Sequence, residues 1–213
     1  MDVRDATDQA RDNARAAQAA DDIADRGWAR IEHFLDPADR TALANAVRAS
    51  SLREARTGVA SGEQVRSDVR ADAIAWIDHA TASSPIARWH ARMEAFGVSL
   101  AAALRLPAPV FDAHMTRYAP RTFYRAHVDA ADDGSRRLLS AICYLGDRWK
   151  AAHGGCLRLA ARPGASCRAD DAIRLEPLGG SLVLFTSRDL EHEVETTHVE
   201  RLSLTGWYLR ASA

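Results

Sequence analysis

After Pro107 the chain breaks into short apolar runs, FDAHMTRY, LLSAICYL, GCLRL, IRLEPL, SLVLF and RLSLTGWYL, separated by turn-forming residues. Runs of this length, rich in aliphatic and aromatic residues and closely spaced, predict strands rather than helices. A series of such strands buries its apolar faces by folding into two packed sheets. The helical signals all lie upstream. Asp36-Pro37 supplies an N-cap and a first-turn proline for a helix to about Ser50, and Ser84-Pro85 opens a second one. In that second helix Ile86, Trp89, Met93, Phe96, Leu100 and Leu104 recur at three- and four-residue steps, a stripe that needs a sheet to cover. Helices first and strands afterwards predict an α+β fold, a double-stranded β-helix (jelly roll, cupin-like) core backed by N-terminal helices.

At 213 residues the chain fits one domain with a continuous core. Residues 1–26, rich in Ala, Asp, Arg and Gln but poor in large apolar side chains, read as a marginal helical or flexible extension, and residues 27–213 as the domain proper. WARIEHFL, opening at Trp28, predicts a short strand, whereas residues 52–70, polar and holding Gly58 and Gly62, predict a long surface loop of the kind that acts as a lid. No apolar run approaches a membrane span, and the acidic first residues are unlike a secretory leader, so a cytoplasmic location is expected. Three cysteines without CxxC spacing predict reduced thiols. A formal net charge of -1 supplies no field to draw the chain onto nucleic acid.

The chemistry is carried by YRAHVDA. His127 and Asp129 stand two apart, on one face of an extended segment, so both can reach one ion. His192 in LEHEV, beyond the strand SLVLF, offers a third donor. Two imidazoles and one carboxylate on one face of an octahedron leave three positions open, the arrangement of non-haem Fe(II) oxygenases. His33, His79, His90, His114, His153 and His198 stand outside that pattern and are expected to be structural or surface residues. Arg201 follows on the last strand, where a fixed guanidinium suits a two-pronged grip on a carboxylate. Thr205 lies on the same face, and Tyr144 on another strand adds a phenolic donor.

Taken together, Tyr118, Tyr124, His127 and Asp129, followed by ICYLGDRW, GGCLRL, LVLF, HEV and R-x-S-x-T-x-W-Y, resemble the 2-oxoglutarate-dependent prolyl hydroxylases, in particular the oxygen-sensing branch and its bacterial relatives. The resemblance spans about residues 28–210, and VRADAIAWID is similar to an upstream Arg-x-Asp-x-x-x-Trp segment of the family, giving Arg70, Asp72 and Trp76. It implies Fe(II) held by His127, Asp129 and His192, with dioxygen and 2-oxoglutarate as cosubstrates and ascorbate as an optional reductant. It further implies that Arg201 and Tyr144 bind the distal carboxylate, with Thr205 in support and Tyr118 in the cosubstrate pocket. Arg137 and Trp207, with Tyr124, would line the substrate entrance. Two positions depart from the family: Arg121 stands where glycine is usual, and ADDGSRR after Asp129 is short and charged. The implied reaction is hydroxylation of a prolyl residue in a protein or peptide, with release of succinate and carbon dioxide. Hydroxylation of a free amino acid or other small metabolite is the alternative, and a non-catalytic cupin-like binding module the third reading.

Overall fold

The computed structural model describes residues 3–56, 66–78, 80–130 and 134–211. In chain order the elements are α1 (Val3–Arg26), β1 (Trp28–Ile31), α2 (Pro37–Ala49), β2 (Arg53–Glu54), β3 (Ala73–Trp76), α3 (Ser84–Ala103), β4 (Val110–Tyr118), β5 (Tyr124–His127), β6 (Arg137–Tyr144), β7 (Leu157–Leu159), β8 (Ile173–Leu175), β9 (Leu182–Thr186), β10 (His192–Val194) and β11 (Arg201–Leu209). Two antiparallel sheets form, a seven-stranded one in the order β1-β9-β6-β11-β4-β3-β2 and a four-stranded one in the order β5-β10-β7-β8. This is the expected jelly roll with helices at its back.

The alternation of side chains along the large sheet decides what each face does. On β6, Leu139, Ala141 and Cys143 join the helices in one core, while Ile142 and Tyr144 join a second core between the sheets. On β9, Leu182 and Leu184 face the helices, whereas Val183 and Phe185 face the other sheet. On β11 the even positions Leu202, Leu204 and Tyr208 pack under the helices. The odd positions Arg201, Thr205 and Trp207 line a cavity between the sheets. One strand therefore presents an apolar face to the core and a polar face to the cavity.

α3 lies against β11 at Gly97, where an added Cβ would fall onto the Tyr208 ring. The Tyr208 hydroxyl donates to the Met93 carbonyl at 2.9 Å, fixing the same contact with a buried hydrogen bond. α1 packs against α3 and β1 through Ala16, Ala19, Ala20 and Ile23, spaced for one helical face. Small alanines allow the close approach, and Asp12 locks it through a two-pronged pair with Arg92, at 2.7 and 2.9 Å. From Asp12 to Ile23 the helix is thus docked on the domain although it has few large apolar side chains.

The long loop expected over residues 52–70 needs correction. Arg53–Glu54 forms an edge strand on β3, and Arg70 bridges to Tyr124 across the gap between the sheets. Residues 57–65 of that expected loop, His79, and residues 131–133 of ADDGSRR lie outside the described residues. Arg121 adopts φ 73, so this position keeps the left-handed backbone that favours glycine while carrying a long side chain. Cys143, Cys156 and Cys167 are buried and unbridged, and no described helix is long and apolar enough to cross a membrane.

Candidate metal centre and its cavity

His127 closes β5 and His192 opens β10, and the two stand opposite each other in the antiparallel register. Their rings lie 4.2 Å apart. Asp129, two residues past His127, brings Oδ1 to 3.5 Å from His127 Nε2 and Oδ2 to 3.6 Å from His192 Nε2. One donor atom from each of the three lies within 4.8 Å of the others, close enough for a single ion.

The tautomers are set by the backbone. His127 Nδ1 is 2.8 Å from the Arg125 carbonyl and His192 Nδ1 is 3.1 Å from the Leu190 carbonyl. A carbonyl can only accept, so each Nδ1 carries the proton and each Nε2 turns a lone pair toward the shared space. Burial holds the His192 imidazole down to about 4, with His127 beside it acting in the same direction. Both effects keep it neutral, the form that binds metal. Burial alone would raise the Asp129 carboxyl, but the neighbouring imidazoles and the Ser140 hydroxyl outweigh it and hold the group well below the usual carboxylate range. Two imidazoles and one carboxylate are the donor set that suits Fe(II).

The three donors line a cavity of about 870 Å³ between the sheets. Arg201, 5% exposed, forms part of its wall. Its Nε donates to the Gly155 carbonyl at 3.0 Å, while its Nη2 is buried without a hydrogen-bond partner among the described residues. Gly155 has φ +70, and an added Cβ would sit 3.1 Å from Arg201 Cδ, which explains the second glycine of GGCLRL. The guanidinium carbon lies 4.9 Å from the ring centres of both Tyr118 and Tyr144, and Tyr144 Oη is likewise buried and unpartnered. An unpaired cationic donor beside an unpaired hydroxyl is costly in a folded chain, and a bound carboxylate would satisfy both. Thr205 lines the same cavity, within 3.4 Å of Thr116 Oγ1.

The remaining residues singled out in the sequence also face this space. Tyr124 stacks on the His127 ring, with centroids 3.7 Å apart and planes 18° apart, and Arg70 covers its other face at 4.3 Å. Arg70 is itself held by a two-pronged pair with the buried Asp72, at 2.8 and 2.6 Å. Arg137 lies 3.8 Å over the Trp207 ring and donates to the Asp129 carbonyl at 3.1 Å. Trp207 is 6.0 Å from Trp76, which is half exposed at the cavity's edge.

His114 and Ser140 also line the cavity, and neither carried a functional expectation. His114, placed among the histidines without a role, is buried between Trp76 and Trp207, at 5.2 and 5.4 Å. Its position two and four residues before Thr116 and Tyr118 on one strand was the available signal. Ser140 lies four residues before Tyr144 on the same face of β6, and its hydroxyl donates to Asp129 Oδ2 at 2.6 Å. His33, His90, His153 and His198 do not line the cavity.

Residues 113–209 match the family model of the 2OG-Fe(II) oxygenase superfamily. A prolyl-4-hydroxylase structure from Pseudomonas putida superposes with a TM-score of 0.80 at 34% identity, covering 92% of this chain and all of that one. A Trichoplax adhaerens prolyl hydroxylase, in complex with a hypoxia inducible factor peptide fragment, shares the fold at TM-score 0.78 and 20% identity, over 98% of this chain and 94% of that one. Mouse prolyl hydroxylase EGLN3 is 38% identical over 92 residues, which is 42% of this chain and 36% of the mouse protein, so the match spans about a third of that relative's length. On these similarities, and on three converging metal donors and an Arg201 that all fall within the matched segment, the chain belongs to the 2OG-Fe(II) oxygenase superfamily, in its prolyl hydroxylase branch.

Proposed function

We propose that this protein is an Fe(II)- and 2-oxoglutarate-dependent hydroxylase of prolyl residues in proteins or peptides. His127, Asp129 and His192 hold the iron. Arg201 and Tyr144 hold the distal carboxylate of 2-oxoglutarate, Thr205 supports it, and Tyr118 lines its pocket. Arg137, Trp207 and Tyr124 receive the substrate. The observation that carries this reading is the pair of buried, unpartnered atoms, Arg201 Nη2 and Tyr144 Oη, in the same cavity as three converging metal donors. A structural metal site alone has no use for a buried cation, which speaks against a non-catalytic binding module.

Iron held by His127, Asp129 and His192 would, together with 2-oxoglutarate and dioxygen, supply the oxidant: one oxygen atom of O2 would go to the C–H bond and the other to the succinate formed as 2-oxoglutarate loses carbon dioxide. The chain's own residues bind and orient. Arg201 fixes one end of the dicarboxylate with two parallel donors, so the keto acid end has a single direction in which to point. Trp207 and Trp76 offer apolar faces that suit a pyrrolidine ring, and Arg137 over Trp207 adds a cation that can take a peptide carbonyl. The Trichoplax relative's peptide complex supports a peptide rather than a metabolite.

The test incubates the purified protein with Fe(II), 2-oxoglutarate and a proteome-derived peptide mixture. Succinate release should rise with peptide, and a prolyl residue should gain the mass of one oxygen atom. If a free amino acid or metabolite is oxidised and no peptide is, the small-molecule reading replaces this one.

A further inference from the structure

His114 stands on β4, directly across from Thr205 on β11 and from Trp76 on β3. β4 is paired on both sides, so the backbone that carries the imidazole is held from both edges. The side chain shares the face of Thr116 and Tyr118 and lines the cavity with them. Its ring is edge-on to Trp76, with centroids 5.2 Å apart and planes at 81°, and lies 5.4 Å from the Trp207 ring. Trp207 in turn donates from Nε1 to Asp129 Oδ2 at 2.9 Å. One indole therefore separates His114 from a metal donor, and the other, 52% exposed, separates it from solvent.

Packing alone does not account for an imidazole in this place. Nδ1 lies 2.9 Å from the Thr116 hydroxyl, which holds that side of the ring to the sheet. Nε2 makes no hydrogen bond to a described residue, although the ring lines the cavity and the residue is only 3% exposed. A polar atom taken out of bulk water without a partner is costly, and a leucine or methionine would fill the gap between two indoles without that cost. The nitrogen is left for whatever occupies the cavity.

The chemistry of the ring restricts that occupant. Burial, helped by the positive charge of Arg70, lowers the imidazole to about 4, so it is uncharged at neutral pH. The charged amino or carboxylate end of a free amino acid, lying between the indoles, would lose its water with only a neutral ring to meet it. A backbone amide is neutral and carries one donor and one acceptor. The Thr116 hydroxyl can donate to Nδ1 or accept from it, so Nε2 is an acceptor or an N–H donor, and an amide answers it in either tautomer.

We propose that His114 is a substrate-binding residue, whose Nε2 hydrogen-bonds a backbone amide next to the target prolyl residue where the peptide lies against Trp76 and Trp207. This rests on the peptide prolyl hydroxylase reading above, and it adds the residue that tells a peptide from a free amino acid.

The experiment uses the full chain with Fe(II) and 2-oxoglutarate and, as probe, a library of N-acetylated, C-amidated pentapeptides with proline at the centre. Two further libraries replace the amide on one or the other side of the prolyl residue by an ester, which removes the N–H and weakens the carbonyl. Oxygen gain at proline is followed against library concentration. His114→Leu should raise the half-saturating concentration about tenfold, the scale of one lost hydrogen bond, and lower the maximal rate less. His114→Gln, which returns a polar atom near the place of Nε2, should recover most of the loss. At one of the two positions the ester should cost the parent a similar factor and cost His114→Leu almost nothing further, a non-additivity that a merely structural histidine does not produce. Equal half-saturation in parent and His114→Leu overturns the proposal, and so do ester effects that are as large in the variant as in the parent at both positions. If His114→Leu does not fold, His114→Phe, which keeps a ring beside the indoles without a polar tip, decides on the same readouts. Failure of the underlying reading looks different, because the parent itself would then oxidise no member of the amide library, and both readings fall together.

Discussion

Arg201 and Tyr144 meet on neighbouring strands with the guanidinium carbon 4.9 Å from the phenol ring centre, each keeping one buried polar atom unpaired. Replacing Arg201 by Met should weaken 2-oxoglutarate binding by about 3 to 5 kcal/mol, a factor of several hundred or more, because one carboxylate loses its charged partner in a buried site. Tyr144→Phe should cost about 1.5 to 3 kcal/mol by removing a single donor to the same charge. Both variants should bind Co(II) as the parent does. Calorimetric titration with 2-oxoglutarate checks the pair, and an unchanged affinity in Arg201→Met would count decisively against the assignment.

Metal binding should appear as stability. Three donors preassembled in the folded state and scattered in the unfolded one favour folding whenever an ion is present. Co(II) or Mn(II) at about 100 times its Kd should stabilise the protein by about 2.7 kcal/mol. In Asp129→Ala that gain should largely vanish. Chemical denaturation with metal, and again with a chelator, gives the comparison.

His114 makes the fold sensitive to acid. Burial, helped by the positive charge of Arg70, lowers its imidazole to about 4, whereas the unfolded chain protonates near 6.5. Between those values the unfolded state holds the extra proton, so stability is full above about pH 6.5 and falls as the pH drops toward 4. The loss from this one group is roughly 3 kcal/mol. His192 acts with the same sign in the metal-free protein, so the informative quantity is the difference between the parent and His114→Gln. The variant should lose less stability than the parent between pH 7 and pH 4.5, and parallel curves would refute the role given to His114.

At Arg121 a side chain sits on a left-handed backbone, φ 73, in the turn ahead of the metal donors. That conformation costs a residue with a Cβ about 1 to 2 kcal/mol, and glycine recovers it minus the entropy of a looser unfolded chain. Arg121→Gly should raise stability by up to about 1 kcal/mol and keep the 2.6 Å bond from its backbone nitrogen to the Thr197 carbonyl. A lower denaturant midpoint would show that the arginine side chain holds the turn in another way.

Much of this architecture is legible in the sequence because it repeats locally. The two-residue period of β6, β9 and β11 separates the core face from the cavity face, and the same period places His127 with Asp129 and Arg201 with Thr205. Features that depend on distant partners leave no local trace. Asp12 meets Arg92 across 80 positions, so a helix poor in large side chains looks marginal when it is in fact pinned. The two residues of β2 have no apolar pattern of their own, since an edge strand with two exposed side chains is defined only by its partner β3. Ser140 looks like any strand serine until the fold carries Asp129 and Ser187 to it from either side.

The contact of Tyr208 with Gly97 and Met93 reaches beyond packing. β11 is hydrogen-bonded on one side to β4 and on the other to β6, and α3 presses on its core face. Its cavity face carries Arg201 and Trp207 six residues apart, roughly 20 Å along an extended strand. Neither end can slide without the other, so in the proposed assignment β11 is a fixed gauge between the carboxylate anchor and the residue that steadies Asp129. Discrimination between 2-oxoglutarate and dicarboxylic acids one methylene shorter or longer would then reside in the spacing of a backbone, which side-chain motion cannot easily retune.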